Sequence, residues 1–428
     1  MRVWSELALR ARRVASQVGR LPPLRLTGGH VVLPSGVIQA DLVIQGGRIA
    51  AVEERPAAQT EASSVDVSGL LVFPGLINAH DHLEFNCFPR LGEPGSYTSS
   101  YEWGLDITRR RRSPVVDQVL RIPLIDRLLV GAYKNLYAGV TTVCHHGPYW
   151  RPFDRGFPVR VVKRYGWCHS LGFSGDVAGS YRHTPPDVPW IIHLAEGTDA
   201  RAGGELAQLA GLGCLGANTV IVHGVGLSQA DLDLMARHGA GLIWCPASNL
   251  FMFGQTAPIG RLISSSPISQ EHARRERAGV TLALGSDSRL TGSQDLLAEL
   301  QVAHSLGPAT GGSAEQLFHM VTRDAARLLR IEGQVGTIEP GKQADLLIIE
   351  GDPALPYQAL VGAQREAVRL VFVGGRPVYG VAGFIKLFHA WGRPFTSARL
   401  GSRPYLVAAD PVQRSTRRVV HHDLERLL

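Results

Sequence analysis

Histidine and acidic side chains stand at the ends of several apolar runs in this 428-residue chain. His80 and His82 end the run PGLINAHDH. Because side chains alternate along a strand, both imidazoles are expected on one face, with Asp81 on the other. Two imidazoles on one face suit a single metal ion. Three later runs also end in a nitrogen or carboxylate donor: His193, His223 and Asp287.

The elements that must position these residues alternate between apolar runs and helical segments. The runs predicted as strands are LINAHDH, GVTTVCHH, VRVVKRY, WIIHLAE, TVIVHGV, GLIWCPAS and VTLALGSD. Stretches 199–213 and 228–240 have helical spacing and end at or near a glycine. Over residues 73–335 this alternation predicts an α/β fold, a (β/α)8 TIM barrel, whose active site lies at the C-terminal strand ends. The stretch between Gly147 and Trp190 is too short for two βα units of about 30 residues each, so that quarter is predicted to be abbreviated.

The sequence near both ends of the chain has a different residue pattern. Residues 24–72 and 336–380 contain short β-branched runs separated by Gly-rich turns, which predicts a small β-sandwich built from both termini. Residues 1–23 are predicted to form an amphipathic helical extension. Residues 381–428 are predicted to form a C-terminal extension that carries no chemical motif.

The motifs PGLINAHDH, HLAE, VHG and LGSD, in this order, resemble those of the metal-dependent amidohydrolase superfamily. They are most similar to the mononuclear branch, which contains cytosine and guanine deaminases, other heterocycle deaminases and triazine chlorohydrolases. The resemblance extends over about residues 24–380. It implies four ligands to one metal ion: His80, His82, His193 and Asp287. It also implies a proton-shuttling role for Glu196 and a contact of His223 with the substrate or the attacking water.

The chemistry of these side chains supports the same roles. Neutral imidazoles and a carboxylate suit a divalent ion, with Zn²⁺ favoured and Fe²⁺ as the alternative, and such an ion lowers the pKa of bound water to roughly 7. Asp287 would take a proton from the water, and Glu196 would protonate a ring nitrogen and the leaving group. His223 would stabilise the developing oxygen. Each role has a structural alternative: Glu196 could be a surface charge, His223 a core histidine bonded to the backbone, and Asp287 a helix N-cap.

Substrate specificity is expected to come from the loops after the strands. The residues predicted to contact the substrate are Phe85, Trp103, His146, Trp244 and Arg289. The aromatic side chains could stack on a flat ring, and the alternative is packing in the core or in a lid. Arg289 could bind a substrate carboxylate or carbonyl, or pair with Asp295 or Glu299. Trp244 precedes the segment CPASN, which in many family members follows a histidine.

Composition narrows the class of protein. Hydrophobic residues make up 45% and charged residues 19% of the chain, as in soluble globular proteins. The net charge of +7 is spread out, so no nucleic-acid partner is predicted. No apolar run approaches the roughly 18 residues that cross a bilayer, so no membrane partner is predicted. The five cysteines form no CxxC pair, which favours reduced thiols and a cytoplasmic location.

The sequence therefore predicts a metal-dependent hydrolase of a C–N bond in a small nitrogen-heterocyclic substrate, and a deaminase before other reactions. A homodimer is expected. The enzymatic alternatives are hydrolysis of a cyclic amide and dechlorination by the same site. A different class of protein is also considered, namely a non-enzymatic scaffold relative that has lost its metal ligands.

Overall fold

The computed structural model describes residues 23–54, 63–154, 156–260, 262, 279–307, 312–392, 394–400 and 403–408. The helical extension predicted for residues 1–23 lies outside this part of the chain except for its last residue. The strands are β1 Leu24–Leu33, β2 Gly36–Gln45, β3 Arg48–Glu53, β4 Ser63–Asp66, β5 Leu71–Pro74, β6 Leu76–Asp81, β7 Val140–His145, β8 Arg160–Val161, β9 Gly166–Ser170, β10 Trp190–Leu194, β11 Thr219–His223, β12 Gly241–Trp244, β13 Thr281–Leu284, β14 Leu346–Ile349, β15 Val368–Val373, β16 Arg376–Val381, β17 Phe395–Leu400 and β18 Arg403–Ala408.

Helices connect most of the parallel strands and cover their outer faces. The α-helices are α1 Ser100–Arg110, α2 Pro114–Leu120, α3 Leu124–Tyr137, α4 Val177–His183, α5 Ala200–Gly211, α6 Gln229–His238, α7 Pro246–Phe253, α8 Leu296–Ser305, α9 Ala314–Met320, α10 Arg323–Leu328, α11 Pro356–Val361 and α12 Ile385–Ala390. Short 3-10 segments occur at Leu83–Phe85, Arg151–Asp154, Arg365–Ala367 and Ala382–Phe384. None of these helices is both long and apolar enough to cross a bilayer.

The strands β6 to β13 run parallel and follow one another in the order expected of a barrel. They form a three-stranded sheet, β6-β7-β8, and a five-stranded sheet, β13-β12-β11-β10-β9. Hydrogen bonding within the described residues is therefore not continuous around the ring, and the closed barrel is not confirmed. The predicted α/β alternation is confirmed. The predicted abbreviation also appears, because only four residues and no helix separate β8 from β9.

Strands from both ends of the chain meet in a single ten-stranded sheet, in the order β17-β18-β16-β15-β14-β5-β1-β2-β3, with β4 beside β1. β5 and β14 join the two ends, with Leu347 opposite Phe73. The hydrogen bonds trace one sheet, so the predicted sandwich of two sheets is not confirmed. The C-terminal segment, for which no chemical motif is predicted, supplies β17 and β18 to this sheet.

The apolar core divides along the faces of the parallel strands. One cluster takes alternate residues from these strands, such as Ile191, Val220 and Ile243, and is closed by residues of and after α10. A larger cluster lies between the strands and the surrounding helices and includes Trp190 and Trp244. Side chains on both faces of these strands are therefore buried, as expected of parallel strands that are covered on both sides.

Helix α3 packs very closely on the backbone that follows β6. A Cβ atom at Gly131 would lie 2.3 Å from the carbonyl oxygen of Leu83. Gly131 is buried, and the contacting atoms belong to backbone that cannot rotate away. The glycine thus permits the approach of α3 to the residues just beyond His82.

We expect Gly131→Ala to lower the free energy of unfolding by about 1–3 kcal/mol, because the added methyl group overpacks this contact. Gly204→Ala is the matched control. Gly204 lies inside α5, and apart from its own helix backbone no described atom lies within 4 Å of the position that a methyl group would take. That variant should be stabilised by up to about 1 kcal/mol. Denaturant unfolding of both variants measures the difference, and equal stabilities would contradict the close packing of α3.

Candidate metal centre and active site

Three imidazole nitrogens converge at the C-terminal ends of two strands. His80 lies near the end of β6, His82 follows the strand directly, and His193 lies near the end of β10. The Nε2 atom of His193 is 3.3 Å from Nε2 of His82 and 3.3 Å from Nε2 of His80. Burial is nearly complete for His80 and His193. The predicted placement of the three rings around one point is found.

The protonation of these rings favours a bound cation. Nδ1 of His193 lies 2.7 Å from the carbonyl oxygen of His169, which can only accept, so Nδ1 carries the proton. Burial, followed by neighbouring histidines, keeps the pKa of His193 and of His80 well below the ordinary value. The rings of His193 and His80 are therefore neutral, and Nε2 of His193 presents a lone pair to its neighbours. Such converging lone pairs fit a divalent metal ion.

Asp287 adds a carboxylate to this cluster from the loop after β13. Its Oδ1 lies 3.9 Å from Nε2 of His80 and 4.0 Å from Nε2 of His82. Its Oδ2 accepts hydrogen bonds from the hydroxyl groups of Ser248, at 2.9 Å, and Thr291, at 3.0 Å. Burial alone would raise the pKa of Asp287, but His82, His223 and the bonds to the carboxylate hold it below its ordinary value. The ionised carboxylate is thus held with one oxygen towards the imidazoles.

The donor atoms are close enough to share an ion. One set whose ligand atoms all lie within 4.8 Å of one another is His80, His82 and Asp287. A second such set is His80, His193 and His223. The cluster can therefore hold one divalent cation.

His223 and Glu196 form a pair beside the cluster. Nε2 of His223 lies 3.4 Å from Oε1 of Glu196, and both side chains are largely buried. Nδ1 of His223 lies 2.9 Å from Oδ1 of Asn249, whose amide nitrogen is directed at Thr256. Asn249 thus accepts the hydrogen bond from the Nδ1 proton, which leaves Nε2 facing the acid. Burial raises the pKa of Glu196, and His223 partly offsets this shift.

A second carboxylate fixes the turn that carries Glu196. Oε2 of Glu205, in α5, accepts the backbone N–H of Ala195 at 2.7 Å. Its Oε1 accepts the hydroxyl of Tyr101 at 2.7 Å. Ala195 has φ 52, a left-handed conformation that a non-glycine residue rarely adopts. The two hydrogen bonds hold this strained turn and so direct Glu196 towards His223.

Comparisons with known proteins agree with this geometry. The sequence profile of the amidohydrolase family matches residues 176–378. The chain is 28% identical over 396 residues to a 5-methylthioadenosine/S-adenosylhomocysteine deaminase of Syntrophobacter fumaroxidans, covering 79% of this chain and 87% of the relative. It is 25% identical over 385 residues to an enzyme of the same name from Thermococcus kodakarensis, covering 76% and 84%.

The fold is also that of solved structures in this group. An adenosine deaminase from Xanthomonas campestris with bound zinc has a TM-score of 0.63 and 21% identity, covering 86% of this chain and 97% of that chain. A mutant atrazine chlorohydrolase from Arthrobacter aurescens, complexed with zinc and atraton, has a TM-score of 0.66 and 18% identity, covering 86% and 99%.

The comparisons thus confirm the resemblance, predicted from the motifs, to the amidohydrolase superfamily and its mononuclear branch. The chain is a hydrolase that acts on carbon–nitrogen bonds.

Two of the predicted substrate-contact residues lie beside the cluster. The ring of Phe85 is 5.6 Å from that of His82. His146 stacks on His193 with 4.2 Å between ring centroids, and its Nε2 lies 2.9 Å from the carbonyl oxygen of Cys168. Nδ1 of His146 is buried and has no hydrogen-bond partner among the described residues.

For the other three predicted contacts, the described interactions are with groups outside the cluster. Trp244 is 0% exposed, packs with the outer cluster of the core, and donates its indole N–H to Thr256 at 2.6 Å. Its neighbours Ile243 and Cys245 face the core cluster enclosed by the parallel strands, whereas the ring of Trp244 faces the helices. In this conformation it cannot stack on a ligand. Trp103 donates to the carbonyl oxygen of Leu91. Arg289 lies near Arg365 and Asp295, and burial lowers its pKa.

Several residues that support the site were not identified from the sequence. Each makes a hydrogen bond to a predicted site residue or, for Glu205, to the residue before Glu196: Lys134, His169, Glu205, Ser248, Asn249 and Thr291. Ser248 and Asn249 fall in the CPASN segment, so the resemblance at that point contained a usable signal. A lysine inside the apolar stretch LLVGAYKNLY was a second signal.

We expect Glu205→Gln to lower turnover while metal content stays unchanged. A glutamine side chain can accept the Ala195 N–H only by turning its NH2 group towards Tyr101, which must then accept instead of donating, so the charge-assisted bonds that hold the turn are replaced by weaker neutral ones. Tyr101→Phe is the comparison variant, because it keeps the bond to Ala195 and should reduce turnover less. Steady-state kinetics and metal analysis of both proteins test this; the same loss in both variants would contradict the role of the Ala195 bond.

Proposed function

We propose that this amidohydrolase is a metal-dependent deaminase of adenine nucleosides that carry a thioether at the 5′ position. The observation that carries the proposal is the convergence of the His80, His82 and His193 Nε2 atoms with the Asp287 carboxylate, beside the acid Glu196. The substrate class is supported by relatives named as 5-methylthioadenosine/S-adenosylhomocysteine deaminases, which are matched over most of their length.

The proposed metal ligands are four residues: His80, His82, His193 and Asp287. Zinc is favoured over iron because imidazole and carboxylate ligands suit it, and because two solved neighbours contain zinc. A divalent ion bound there would act as a Lewis acid and would lower the pKa of a water molecule. The proton transfers are carried out by side chains of this protein.

Protons are moved by two carboxyl groups with opposite pKa shifts. Asp287 stays ionised, and its Oδ1 faces the cluster, so it can accept the proton of the attacking water. Burial raises the pKa of Glu196, so it can carry a proton and deliver it to a ring nitrogen. A second proton, which the attacking water gives up, can then pass to the amino group, which leaves as ammonia. Nε2 of His223 lies 3.4 Å from Oε1 of Glu196, and His223 can stabilise the oxygen that develops on the substrate.

The substrate ring is proposed to lie near Phe85 and His146. Phe85 offers a face for stacking next to His82. His146 donates its Nε2 proton to a carbonyl oxygen, so its buried Nδ1 is a free acceptor for an amino group. The described cysteines are all buried and unpaired, which supports the proposed cytoplasmic location. The homodimer remains a prediction.

The substrate class is tested by measuring ammonia release from methylthioadenosine, S-adenosylhomocysteine, adenosine, guanine, cytosine and a chlorinated triazine, with chloride release followed for the last. We expect ammonia from the two thioether nucleosides at the highest kcat/KM. Chloride release without deamination of any nucleoside would instead support the dechlorination alternative. Ring opening of a cyclic urea, run in parallel, tests the cyclic amide alternative.

We expect Glu196→Gln to keep its metal and to lose about 10²-fold or more in kcat, the usual contribution of general acid–base catalysis. Glu332→Gln is the control, because Glu332 is exposed and distant in sequence from the site. His80→Ala should lose the metal as well as the activity. Metal analysis and steady-state kinetics measure these outcomes. Full activity of Glu196→Gln would remove the residue from the mechanism, and metal-free wild-type protein without activity would favour the scaffold alternative.

A further inference from the structure

A charged pair lies buried directly behind the metal cluster. Lys134, in α3, is 0% exposed, and so is Asp81, the residue between His80 and His82. Nζ of Lys134 lies 3.2 Å from Oδ2 of Asp81. Asp81 faces away from the imidazoles, so this pair belongs to the outer side of β6 and not to the metal ligands themselves.

The ammonium group also reaches the strand that carries the carboxylate ligand. Nζ of Lys134 donates to the main-chain oxygen of Asp287 at 2.8 Å and to the hydroxyl of Ser286 at 3.1 Å. Asp287 has φ 52, so its backbone is held in the left-handed region. One side chain from α3 thus bonds the end of β6 and the loop after β13 at the same time.

Amide side chains repeat this connection. Asn78, in β6, donates to the hydroxyl of Ser286 at 2.8 Å and accepts the Ser286 N–H at 3.0 Å. Asn86 donates to Asp81 at 2.9 Å and accepts the N–H of Arg289 at 3.1 Å. The two segments that carry His80, His82 and Asp287 are therefore joined through a continuous buried network.

Stability alone does not account for this ion pair. Burying two charges costs several kcal/mol per ion before their attraction is counted, and apolar pairs of similar size are often as stable or more stable. Such a pair does, however, fix the relative position of the segments it joins, because its hydrogen bonds are directional. The partners of Lys134 are the segments whose relative position decides whether three ligands can share an ion.

We infer that Lys134 is a positioning residue of the metal centre, which holds the backbone of Asp287 against the His80–His82 segment through its contacts with Asp81 and the Asp287 carbonyl. This inference rests on the proposed metal ligands and adds a group that does not itself touch the ion. Lys134 acts by fixing where the Asp287 carboxylate lies relative to the two imidazoles.

The test measures zinc affinity by chelator competition and the visible absorption spectrum of the Co²⁺-loaded protein. Lys134→Met keeps the length of the side chain and removes the charge and the donors. We expect its dissociation constant for Zn²⁺ to rise about 10-fold or more, as for other groups that orient metal ligands, and the Co²⁺ spectrum to change. Wild-type affinity and an unchanged spectrum would overturn the inference.

A second variant covers the case in which Lys134→Met does not fold. Asp81→Asn combined with Lys134→Met removes both charges, so no unpaired charge remains buried. Its zinc affinity should stay weak, because the Asp287 carbonyl still lacks its donor. Restored affinity in the double variant would show that charge balance, and not the position of Asp287, governs the site, and would overturn the inference.

Two controls separate this inference from the proposed function. Arg25→Met breaks another buried ion pair, at 3.2 Å from Asp41 in the ten-stranded sheet, and should lower the thermal midpoint without changing zinc affinity. An equal loss of zinc affinity in Arg25→Met would show that Lys134→Met acts through general destabilisation, and would overturn the inference. His80→Ala removes a proposed ligand: if that variant binds zinc like the wild type, the proposed function fails, whatever Lys134→Met shows.

Discussion

The site depends on imidazole nitrogen atoms that face one another in a largely buried cluster. His193 is held in one tautomer by the carbonyl oxygen of His169, so its Nε2 offers a lone pair at 3.3 Å from Nε2 of His80 and of His82. In a region closed to water such an arrangement is costly unless a cation is shared. Asp287, kept ionised by its hydroxyl and amide donors, supplies the negative charge that such a cation requires. The other groups of the site keep these four side chains in place.

Backbone strain is concentrated at the same strand ends. The non-glycine residues with positive φ in the described chain are Ala195, His223, Asp287 and Arg330, and three of them belong to the site. Each of the three bends the chain where a parallel strand changes into a loop. Ala195 is held by Glu205, His223 by Asn249, and Asp287 by Lys134. The supporting hydrogen bonds come from helices α5, α7 and α3, so the helical layer contributes to the chemistry by stabilising conformations that the strands alone would not adopt.

Periodicity and motif order predicted the parallel strands, the abbreviated quarter of the ring and the side chains that converge, because these are local properties of the sequence. The strand β9 was missed, since GWCHS follows β8 so closely that the apolar pattern shows no boundary between them. Trp244 was expected to face a ligand, but strand alternation directs its ring to the helices, and its indole bonds Thr256 instead. The sequence signals at Lys134 and Asn249 could mark these residues as unusual but not name their partners, and Glu205 carried no signal, because each partner is brought close only by tertiary folding. The two β-rich segments do meet, but in one ten-stranded sheet, and the predicted sandwich is not confirmed, because residue alternation does not show which strands pair.

The parallel strands form two separate sheets, and the proposed metal ligands come from both of them. His80 and His82 come from the three-stranded sheet, whereas His193 and Asp287 come from the strand ends of the five-stranded sheet. A cation bound by all four would therefore cross-link the two sheets. Between β6 and the loop after β13 it would add to the hydrogen bond from the Asp287 N–H to the His80 carbonyl oxygen and to the bonds made by Lys134, Asn78 and Asn86, and so would tighten the junction at which the two sheets meet.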